Sequence, residues 1–403
     1  MYIRRSIEPV LKRTAGEFPV VVLTGPRQSG KTTLFRRLFG GRCGYAALDL
    51  PDIRSSAVKD PRGFLEMNPP PVIFDEIHNA PELLPYIRER VDASRSRHGQ
   101  YFLTGSQNML LANNITESLA GRAAIMRLLP LSMREESGMP AKPLPWEPGW
   151  QFSGEKLTGI RLGESLFRGG YPELSQSRKR DLPRWHASYV QTYLERDIRT
   201  IRQVGDLMMF QNFLRALAVR SGQLLNMADI SRDLGVALNT AKAWLSVLVA
   251  THQVVVLPPY FANIGKRLVK TPKVYFVDTG TLCYLAGLEG PKQALAGPMG
   301  GALFETAVIS EVLKTLTNRG GEARLFFWRT GKGEEVDLVI ARGDKLIPVE
   351  IKASSTPRAS MASGIRSFQA ALKAKAADGY VVHSGTMRMP LMPGISAIPF
   401  SSI

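Results

Sequence analysis

The stretch Val20–Thr33, VVVLTGPRQSGKTT, decides the fold at the start of this chain. Four apolar residues, Val20 to Leu23, predict a short buried strand, and the run LFRRLF after Thr33 predicts the first turns of a helix. The residues between them fit the pattern G-x-x-x-x-G-K-[ST], which joins a strand to a helix through a glycine-rich loop. The sequence therefore predicts a phosphate-binding loop in an α/β domain.

The loop residue types suit the binding of a nucleoside triphosphate. Gly25 and Gly30 permit backbone conformations that turn successive N–H groups inward as an anion nest at a helix N-terminus. Lys31 is expected to reach the β- and γ-phosphates of ATP, and the Thr32 hydroxyl is expected to bind Mg²⁺. The predicted nucleotide-binding residues are Gly25, Pro26, Arg27, Gln28, Ser29, Gly30, Lys31, Thr32 and Thr33.

An acidic strand end supplies the expected partner of this loop. The run VIFDEI, Val72 to Ile77, is an apolar strand signal that ends in two carboxylates. Asp75 is expected to hold Mg²⁺ together with Thr32, and Glu76 to act on the attacking water as a general base. The alternative is that Glu76 only complements the dipole of the following helix.

Two further strand signals follow, at Tyr101–Asn108 and Ala123–Leu128. Ligands of open α/β sheets lie beyond the carboxyl ends of the strands. Polar residues at the carboxyl end of the first of these strands are therefore candidates for contact with the γ-phosphate or the lytic water: Thr104, Ser106 and Gln107. Arg122 is a candidate catalytic arginine, acting in cis or on a neighbouring subunit, with a surface arginine as the alternative.

The strong positive charge indicates an anionic partner. The chain has 403 residues and a formal net charge of +17, which favours nucleic acid first and an anionic membrane surface second. A basic surface with no polyanion partner is the alternative. The length predicts two to four domains, at about 100–200 residues per domain.

The cysteine content and the absence of long apolar runs indicate in which cellular compartment the protein is found. Cys43 and Cys283 are the only cysteines and lie far apart, which argues against a disulfide framework or zinc site and fits a reducing cytosol. No apolar run approaches the ~18 residues of a membrane span. Glu8 and Lys12 interrupt the region where a signal peptide needs an apolar core. We therefore predict a cytoplasmic protein with no membrane partner.

Several of these segments together resemble one family. GPRQSGKTT, LDLPD, VIFDEIHNAPELL, FLTGSQN and ESLAGR are similar to the AAA+-type P-loop ATPases whose chain ends in the domain of unknown function DUF4143. The resemblance spans nearly the whole chain. It implies a P-loop NTPase parallel sheet, ATP and Mg²⁺ as cofactors, and an ATP site at Lys31, Thr32, Asp75 and Glu76.

The middle of the chain predicts a helical lid and a winged helix. We assign residues 1–140 to the ATPase domain, 141–215 to a linker and helical lid, with Arg168 as a candidate second sensor, and 216–270 to a winged-helix-like domain. Asn239, Thr240 and Lys242 begin its second helix and are candidates for DNA bases, with Lys266, Arg267 and Lys270 on phosphates. The alternative is a winged helix that serves only in packing.

Residues 271–403 predict a small α/β domain with a second constellation of charged residues. A helix carries Glu305, one strand carries Asp337, and the next strand carries Glu350 and Lys352 on one face. This arrangement resembles the PD-(D/E)xK nuclease superfamily, which implies Mg²⁺ on Asp337 and Glu350, Lys352 at the water, and Glu305 as support. The alternatives are a cross-strand salt bridge, or an inherited nuclease fold used only for binding.

These predictions combine into one fold class and three candidate functions. The fold class is α/β, with a P-loop NTPase parallel sheet followed by a helical and winged-helix region and a small nuclease-like domain. The first function is Mg²⁺-dependent ATP hydrolysis coupled to DNA binding or remodelling. The others are an ATP-gated metal-dependent DNA nuclease and a nucleotide-dependent switch acting on a protein partner. An arginine supplied in trans would require a homo-oligomer.

Overall fold

The chain forms two compact units. The computed structural model describes residues 2–105, 118–152, 154, 159–177, 179–194, 207–261 and 270–403. Unit 1 comprises Met1–Leu131, Ala250–His252 and Thr317–Gly321. Unit 2 comprises Ser132–Val249, Gln253–Leu316 and Glu322–Ile403. Ser106, Gln107, Lys266 and Arg267 lie outside the described residues.

Unit 1 alternates strands and helices in the way that its sequence predicts. Its elements are α1 (Glu8–Ala15), β1 (Val20–Thr24), α2 (Lys31–Phe39), β2 (Gly44–Ala47), α3 (Pro51–Lys59), α4 (Pro61–Met67), β3 (Val72–Asp75), a 3₁₀ turn (Ile77–Asn79), α5 (Leu83–Ala93), β4 (Tyr101–Gly105) and β5 (Ala123–Arg127). The strands form one sheet in the order β2-β3-β4-β1-β5, and every described pairing is parallel. The expected parallel α/β sheet is therefore confirmed.

Both faces of this sheet are buried. Along β1 the side chains alternate between two apolar clusters, with Val20 and Val22 in one and Val21 and Leu23 in the other. This alternation follows from the two-residue period of a strand, and helices on both faces explain why the apolar run is continuous. The phosphate loop follows the carboxyl end of β1, and Asp75 ends β3, so both lie at the same edge of the sheet.

Unit 2 begins with helices and ends in a sheet. Its elements are α6 (Met133–Glu136), α7 (Gly159–Arg168), α8 (Pro172–Gln176), α9 (Leu182–Tyr189), a π turn (Val190–Leu194), α10 (Leu207–Ala218), α11 (Met227–Leu234), α12 (Leu238–Ala250), β6 (Val254–Leu257), β7 (Lys273–Phe276), α13 (Thr279–Leu285), α14 (Pro291–Ala296), α15 (Gly300–Asn318), β8 (Leu325–Arg329), β9 (Glu335–Arg342), β10 (Lys345–Lys352), α16 (Ser363–Leu372), β11 (Gly379–His383), β12 (Met389–Met392) and β13 (Ile395–Pro399), with 3₁₀ turns at Ala359–Ala362, Lys373–Lys375 and Phe400–Ser402. No described helix is both long and apolar enough to cross a bilayer.

The C-terminal sheet is larger than the sequence suggests. Its six strands lie in the order β12-β13-β11-β10-β9-β8, with β8, β9 and β10 antiparallel and β10, β11 and β13 parallel. β11 does not form the edge of the sheet, because β13 pairs with it and β12 pairs with β13. The strand signal at β12 is weak, since Pro390 interrupts a run of only four residues.

One apolar core runs through unit 2. It joins Leu144 and Phe167 in the helical part to Val274 in the β6–β7 hairpin and Leu338 in the C-terminal sheet. Tyr260, which follows β6, also donates its backbone N–H to the carbonyl oxygen of Phe327 in β8 at 2.6 Å. The segments predicted as lid, winged helix and nuclease-like domain therefore share one core, and the four-part division stays a prediction.

Candidate functional site

Three residues of the phosphate loop adopt left-handed backbone conformations. The φ angles of Gly25, Gln28 and Gly30 are 146°, 59° and 94°. A Cβ atom at Gly25 would lie 2.1 Å from the carbonyl oxygen of Leu128, so a side chain there collides with backbone. Gly30 directly precedes α2, whose first N–H groups have no partner within the helix. The loop therefore has the backbone geometry that an anion nest requires.

Lys31 begins α2, and its side chain is buried against the loop. Its Nζ donates to the carbonyl oxygens of Gly25 at 3.0 Å and Pro26 at 2.9 Å. Charged phosphate oxygens are stronger acceptors for an ammonium group than these two carbonyls. The lysine charge is thus already placed within the loop, where nucleotide phosphates would replace the carbonyl contacts.

Asp75 is the point where polar side chains from three strands and the loop helix meet. Thr32 Oγ1 donates to Asp75 Oδ1 at 2.7 Å, and Tyr45 donates its hydroxyl to Oδ2 at 3.1 Å. Thr104 Oγ1 also donates to Oδ1. A hydroxyl and a carboxylate in contact match the few protein ligands that Mg²⁺ takes when it is bound with substrate phosphates. The side chains present therefore fit the ion that the motif implies.

Glu76 is held in place by its backbone and by a histidine. Its φ is 55°, its N–H donates to Thr104 Oγ1 at 3.1 Å, and its Oε2 lies 3.1 Å from His78 Nδ1. This contact is an ion pair when His78 is protonated. Burial raises the pKa of Glu76, but His78 and the charges of Lys31 and Arg27 outweigh burial and lower the pKa to about 2. The carboxylate is therefore ionised at neutral pH.

Arg5 supports the phosphate loop from outside. Its buried guanidinium donates from Nη1 to the carbonyl oxygen of Ser29 at 2.8 Å and from Nη2 to that of Leu129 at 2.6 Å. Because a trans peptide is planar, a fixed Ser29 carbonyl also fixes the Gly30 N–H in the opposite direction. Arg5 thus fixes the orientation of the Gly30 N–H relative to the segment that follows β5.

We expect substitution of Arg5 by methionine to weaken ATP binding. The change keeps the side-chain volume but removes the donors that hold Ser29 and Leu129, and such charged hydrogen bonds contribute about 1.5–3 kcal/mol each. KM for ATP should rise about 10-fold or more, since ~1.4 kcal/mol is tenfold in affinity, with a smaller change in kcat. The control is Arg4→Met, at an exposed neighbouring arginine. An unchanged KM in a folded Arg5 variant contradicts the positioning role.

Arg122 does not lie at the phosphate loop. It immediately precedes β5, at the amino end of a parallel sheet, whereas the loop follows the carboxyl end of β1. Its guanidinium forms a two-pronged ion pair with Asp92 at 2.8 and 3.0 Å. Arg122 therefore lies at the end of the sheet away from the phosphate loop, and its catalytic role, in cis or toward a neighbouring subunit, stays a prediction. Arg127, which pairs with Thr24, is the arginine at the carboxyl end of β5.

The described part of the predicted winged helix consists of two helices and a strand pair. α11 ends at Leu234 and is followed by Gly235 at a φ of 66°, then α12 begins, and β6 and β7 pair antiparallel. Asn239, Thr240 and Lys242 are all exposed near the start of α12. Exposure is what a DNA-reading helix requires, and it is equally found on any solvated helix face.

The C-terminal sheet brings Asp337, Glu350 and Lys352 together. Lys352 Nζ lies 2.5 Å from Glu350 Oε1 and 3.8 Å from Asp337 Oδ2. Asp337 Oδ2 also accepts the backbone N–H of Ile351 at 2.8 Å, while Glu350 Oε2 is buried without a hydrogen-bond partner within the described structure. Burial and then the charges of Glu350 and Glu305 raise the pKa of Asp337 well above its usual range. The adjacency predicted for these three residues is present.

Glu305 is engaged elsewhere. Its Oε1 accepts from Lys273 Nζ at 3.0 Å and from the Tyr275 hydroxyl at 2.5 Å, and Lys273 also contacts Glu335 at 2.6 Å. The expected supporting role of Glu305 is therefore limited to its charge, because a buried lysine takes its carboxylate. Within the described residues, no group of three or more His, Cys, Asp or Glu side chains is arranged to hold a metal ion. Asp337 and Glu350 remain a two-carboxylate site.

Sequence reasoning missed three residues that lie beside the candidate nucleotide site. Tyr45 lies in the weak second strand, and burial and then the charge of Asp75 raise the pKa of its hydroxyl to about 12. His78 stands two residues after Glu76, so its spacing could have identified it. Arg5 has no local signal, because its acceptors lie 24 and 124 residues away in sequence.

Comparison with known proteins identifies three family matches along the chain. Residues 17–136 match a family described as an AAA domain. Residues 160–292 match a domain of unknown function, DUF8612, and residues 300–403 match the domain of unknown function DUF4143. Two proteins described as uncharacterized, one from Mycobacterium tuberculosis and one from Mycobacterium bovis, are each 32% identical over 407 residues. The alignment covers 99% of this chain and 84% of each relative.

Two solved structures are also similar to the chain. One is a Walker-type ATPase of Pyrococcus abyssi, with 16% identity and a TM-score of 0.45, covering 69% of this chain and 94% of that one. The other is the RuvB Holliday junction branch migration motor of Thermotoga maritima, with 17% identity and a TM-score of 0.27, covering 62% and 89%.

Proposed function

Because this chain belongs to the family of AAA-domain proteins that carry a C-terminal DUF4143 domain, we propose that it is a Mg²⁺-dependent ATP hydrolase whose turnover is coupled to DNA binding or remodelling. The observation that carries the hydrolase is the hydrogen-bonded set of Thr32, Asp75, Thr104 and Glu76 beside the phosphate loop. A bound Mg²⁺ ion would supply charge neutralisation at the phosphates.

Each residue of this set has a separate part in hydrolysis. The loop N–H groups and Lys31 bind the phosphates, and the Thr32 hydroxyl and Asp75 hold the ion. Glu76 orients the attacking water, and its pKa of about 2 suits a hydrogen-bond acceptor better than a strong base. Thr104 fixes the spacing of the two carboxylates, since it contacts Asp75 and the backbone of Glu76.

The DNA part of the proposal is supported by charge and by exposed helix residues. The chain carries a net charge of +17, which attracts a polyanion at low salt. Asn239, Thr240 and Lys242 are exposed on α12, which follows α11 in a helix-turn-helix order. A nucleotide-dependent switch on a protein partner is the alternative coupling, and it needs no DNA response.

The test is phosphate release from ATP with and without Mg²⁺ and double-stranded DNA over a salt series. We expect Mg²⁺-dependent release that DNA stimulates at low salt, with the stimulation falling as salt rises. Turnover that ignores DNA at every salt concentration leaves the hydrolase and removes the DNA coupling. A protein that releases no phosphate under any of these conditions refutes the hydrolase.

A second candidate activity is metal-dependent cleavage of DNA in the C-terminal sheet. The specific observation is the buried pair of Asp337 and Glu350 with Lys352 beside it and a Glu350 oxygen that lacks a described partner. Burial raises the pKa of both carboxyl groups, and the charge of Glu350 raises the pKa of Asp337 further, so a divalent cation would stabilise the charged pair. Lys352 would then lie at the water or the scissile phosphate.

We expect any plasmid cleavage in Mg²⁺ or Mn²⁺ to depend on this pair. Asp337→Asn removes a cation ligand, so cleavage should fall about 100-fold or more, because positioning of the ion and its water is lost. Asp344→Asn, an exposed position in the turn of the same hairpin, serves as the matched control. Cleavage that persists in Asp337→Asn and Lys352→Ala comes from another protein in the preparation.

A further inference from the structure

Unit 1 contains a cavity at the amino ends of its strands, whereas the phosphate loop lies at their carboxyl ends. The cavity has a volume of about 560 Å³ and is lined by segments that precede four different strands. Lys12 precedes β1, Arg42 precedes β2, Pro70 and Pro71 precede β3, and Arg97 precedes β4. β1 is five residues long, so at a rise of about 3.3 Å per residue this edge is roughly 15 Å from the loop edge. We call it the basic cavity.

The basic cavity is positively charged and contains no carboxylate. Lys12, Arg42, Arg97 and His98 line it, and no acidic residue does. Across the described residues, none of these four side chains has an ion-pair partner; the Arg42 guanidinium lies 5.4 Å from the Phe39 ring centroid.

Three other arginines on unit 1 are neutralised by carboxylates. Arg62 pairs with Glu89, and Arg95 and Arg122 pair with Asp92. Unpaired cations gathered around a hollow raise the local positive potential and attract anions. The gathering of unpaired cations around one hollow that has no acidic lining residue indicates that the basic cavity suits an anionic ligand.

The wall of the cavity is held by backbone contacts. Gly99 N donates to the carbonyl oxygen of Phe18 at 2.9 Å, and Gln100 N donates to that of Pro19 at 2.9 Å. Gly99 has a φ of 61°, and a Cβ there would lie 2.8 Å from the carbonyl oxygen of Ala15. The loop that carries Arg97 and His98 is therefore fastened to the segment between α1 and β1, which keeps the cationic side chains over one hollow.

The cavity continues into a second hollow. A neighbouring space of about 450 Å³ is lined by Leu38, Phe39 and Gly41 and shares Lys12 and Arg42 with the first. All four of these side chains, Lys12, Arg42, Arg97 and His98, are exposed. Two open hollows that share cations form a track rather than an enclosed pocket, and a track suits a ligand with repeated phosphates. Nucleic-acid backbones have this chemistry, and phosphate contacts supply most of their affinity for proteins.

We propose that the basic cavity binds the phosphate backbone of double-stranded DNA. The proposal deepens the DNA part of the proposed function and rests on it only for stimulation of turnover. The strands that begin at this edge, β1 and β3, end at the phosphate loop and at Asp75. DNA bound here would therefore contact the starts of the two strands whose ends carry the nucleotide-binding residues.

The test is fluorescence anisotropy of labelled double-stranded DNA with the full chain, titrated over a salt series. The double variant Arg42→Gln/Arg97→Gln should bind DNA about 10-fold or more weakly. The slope of a plot of log Kd against log salt concentration should also fall by about 2, because each lost phosphate contact lowers the slope by about 0.9. The matched control is Arg54→Gln/Arg88→Gln, which removes the same charge from exposed positions of unit 1 outside the cavity. The control should keep the slope of the unchanged chain.

Three results overturn the proposal. One is equal weakening in both double variants, which would show a general charge effect. Another is unchanged DNA binding in the cavity variant with loss of inorganic phosphate binding, which would assign the cavity to a small anion. A third is an unchanged chain that does not bind DNA.

A parallel assay of ATP turnover without DNA separates this proposal from the proposed function. The cavity variant should hydrolyse ATP at the rate of the unchanged chain, because its substitutions lie far from the phosphate loop. If the unchanged chain binds DNA through the cavity but releases no phosphate, the cavity proposal stands and the hydrolase fails.

Discussion

Replacing Lys31 with alanine is expected to abolish ATP turnover. The side chain is buried in the loop, and its Nζ is placed by contacts to the carbonyl oxygens of Gly25 and Pro26. The variant loses the ammonium group at the start of α2, which is placed to balance the negative charge of the phosphates. Removing one preorganised donor of this kind costs about 10²–10³ in rate, and ATP affinity should fall as well.

The measurements are steady-state phosphate release and binding of a fluorescent ATP analogue. The matched control is Lys59→Ala, an exposed lysine at the end of α3, which should leave both measurements unchanged. Thermal unfolding of the Lys31 variant checks that unit 1 remains folded. Turnover within a few-fold of the unchanged chain would show that hydrolysis occurs elsewhere.

The second large effect is expected from Glu76→Gln. Glutamine keeps the shape of the side chain, and the hydrogen bond from the backbone N–H of residue 76 to Thr104 is unaffected by the change. ATP should therefore still bind. It lacks the negative charge that orients and polarises water, and loss of such a group lowers the rate by about 10²–10⁴. The variant should therefore trap ATP in a Mg²⁺-dependent complex that turns over very slowly.

The control for this variant is Glu66→Gln, at an exposed position of α4. Binding and turnover measured together distinguish the roles, since Lys31→Ala loses binding whereas Glu76→Gln keeps it. An unchanged hydrolysis rate in Glu76→Gln would exclude this residue as the group that acts on water.

The lowered pKa of Glu76 also gives a pH expectation. A carboxyl group whose folded pKa is about 2, against an ordinary value of about 4.3, is charged at every pH above the unfolded value. Its contribution to stability is present above about pH 4 and is lost as the pH falls toward 2. The rate of ATP hydrolysis should therefore show no acid limb from Glu76 between pH 5 and 8. In the His78→Gln variant the pKa of Glu76 should rise, because the contact with His78 that lowers it is removed.

The parts of the fold that follow from short-range sequence patterns were predictable. The phosphate loop combines a strand, two glycines and a lysine within 14 residues, and the acidic pair at Asp75 ends an apolar run. Glu350 and Lys352 lie on one face because residues two apart in a strand share a face. These inferences need no knowledge of distant contacts.

The contacts that the sequence did not reveal depended on which partner a side chain finds. Arg122 precedes a strand of the predicted parallel sheet, so its place at the amino end follows from the sequence, but its ion pair with Asp92 has no sequence signature. Glu305 was expected at the second site, but Lys273, 32 residues earlier, takes its carboxylate. Arg5 could not be found, because both of its acceptors are backbone carbonyls with no sequence signature.

The lysine at the start of β7 has a consequence for how unit 2 can be divided. Lys273 is buried between Glu305 and Glu335, and Tyr275 donates to the same Glu305 oxygen. A fragment limited to the DUF4143 match, residues 300–403, would keep Glu305 and Glu335 and lose Lys273 and Tyr275, with Arg329 as the partner left to Glu335. The boundary of the recognisable family therefore cuts through a charge cluster that the fold of unit 2 shares, and a fragment that begins before Lys273 would keep this cluster whole.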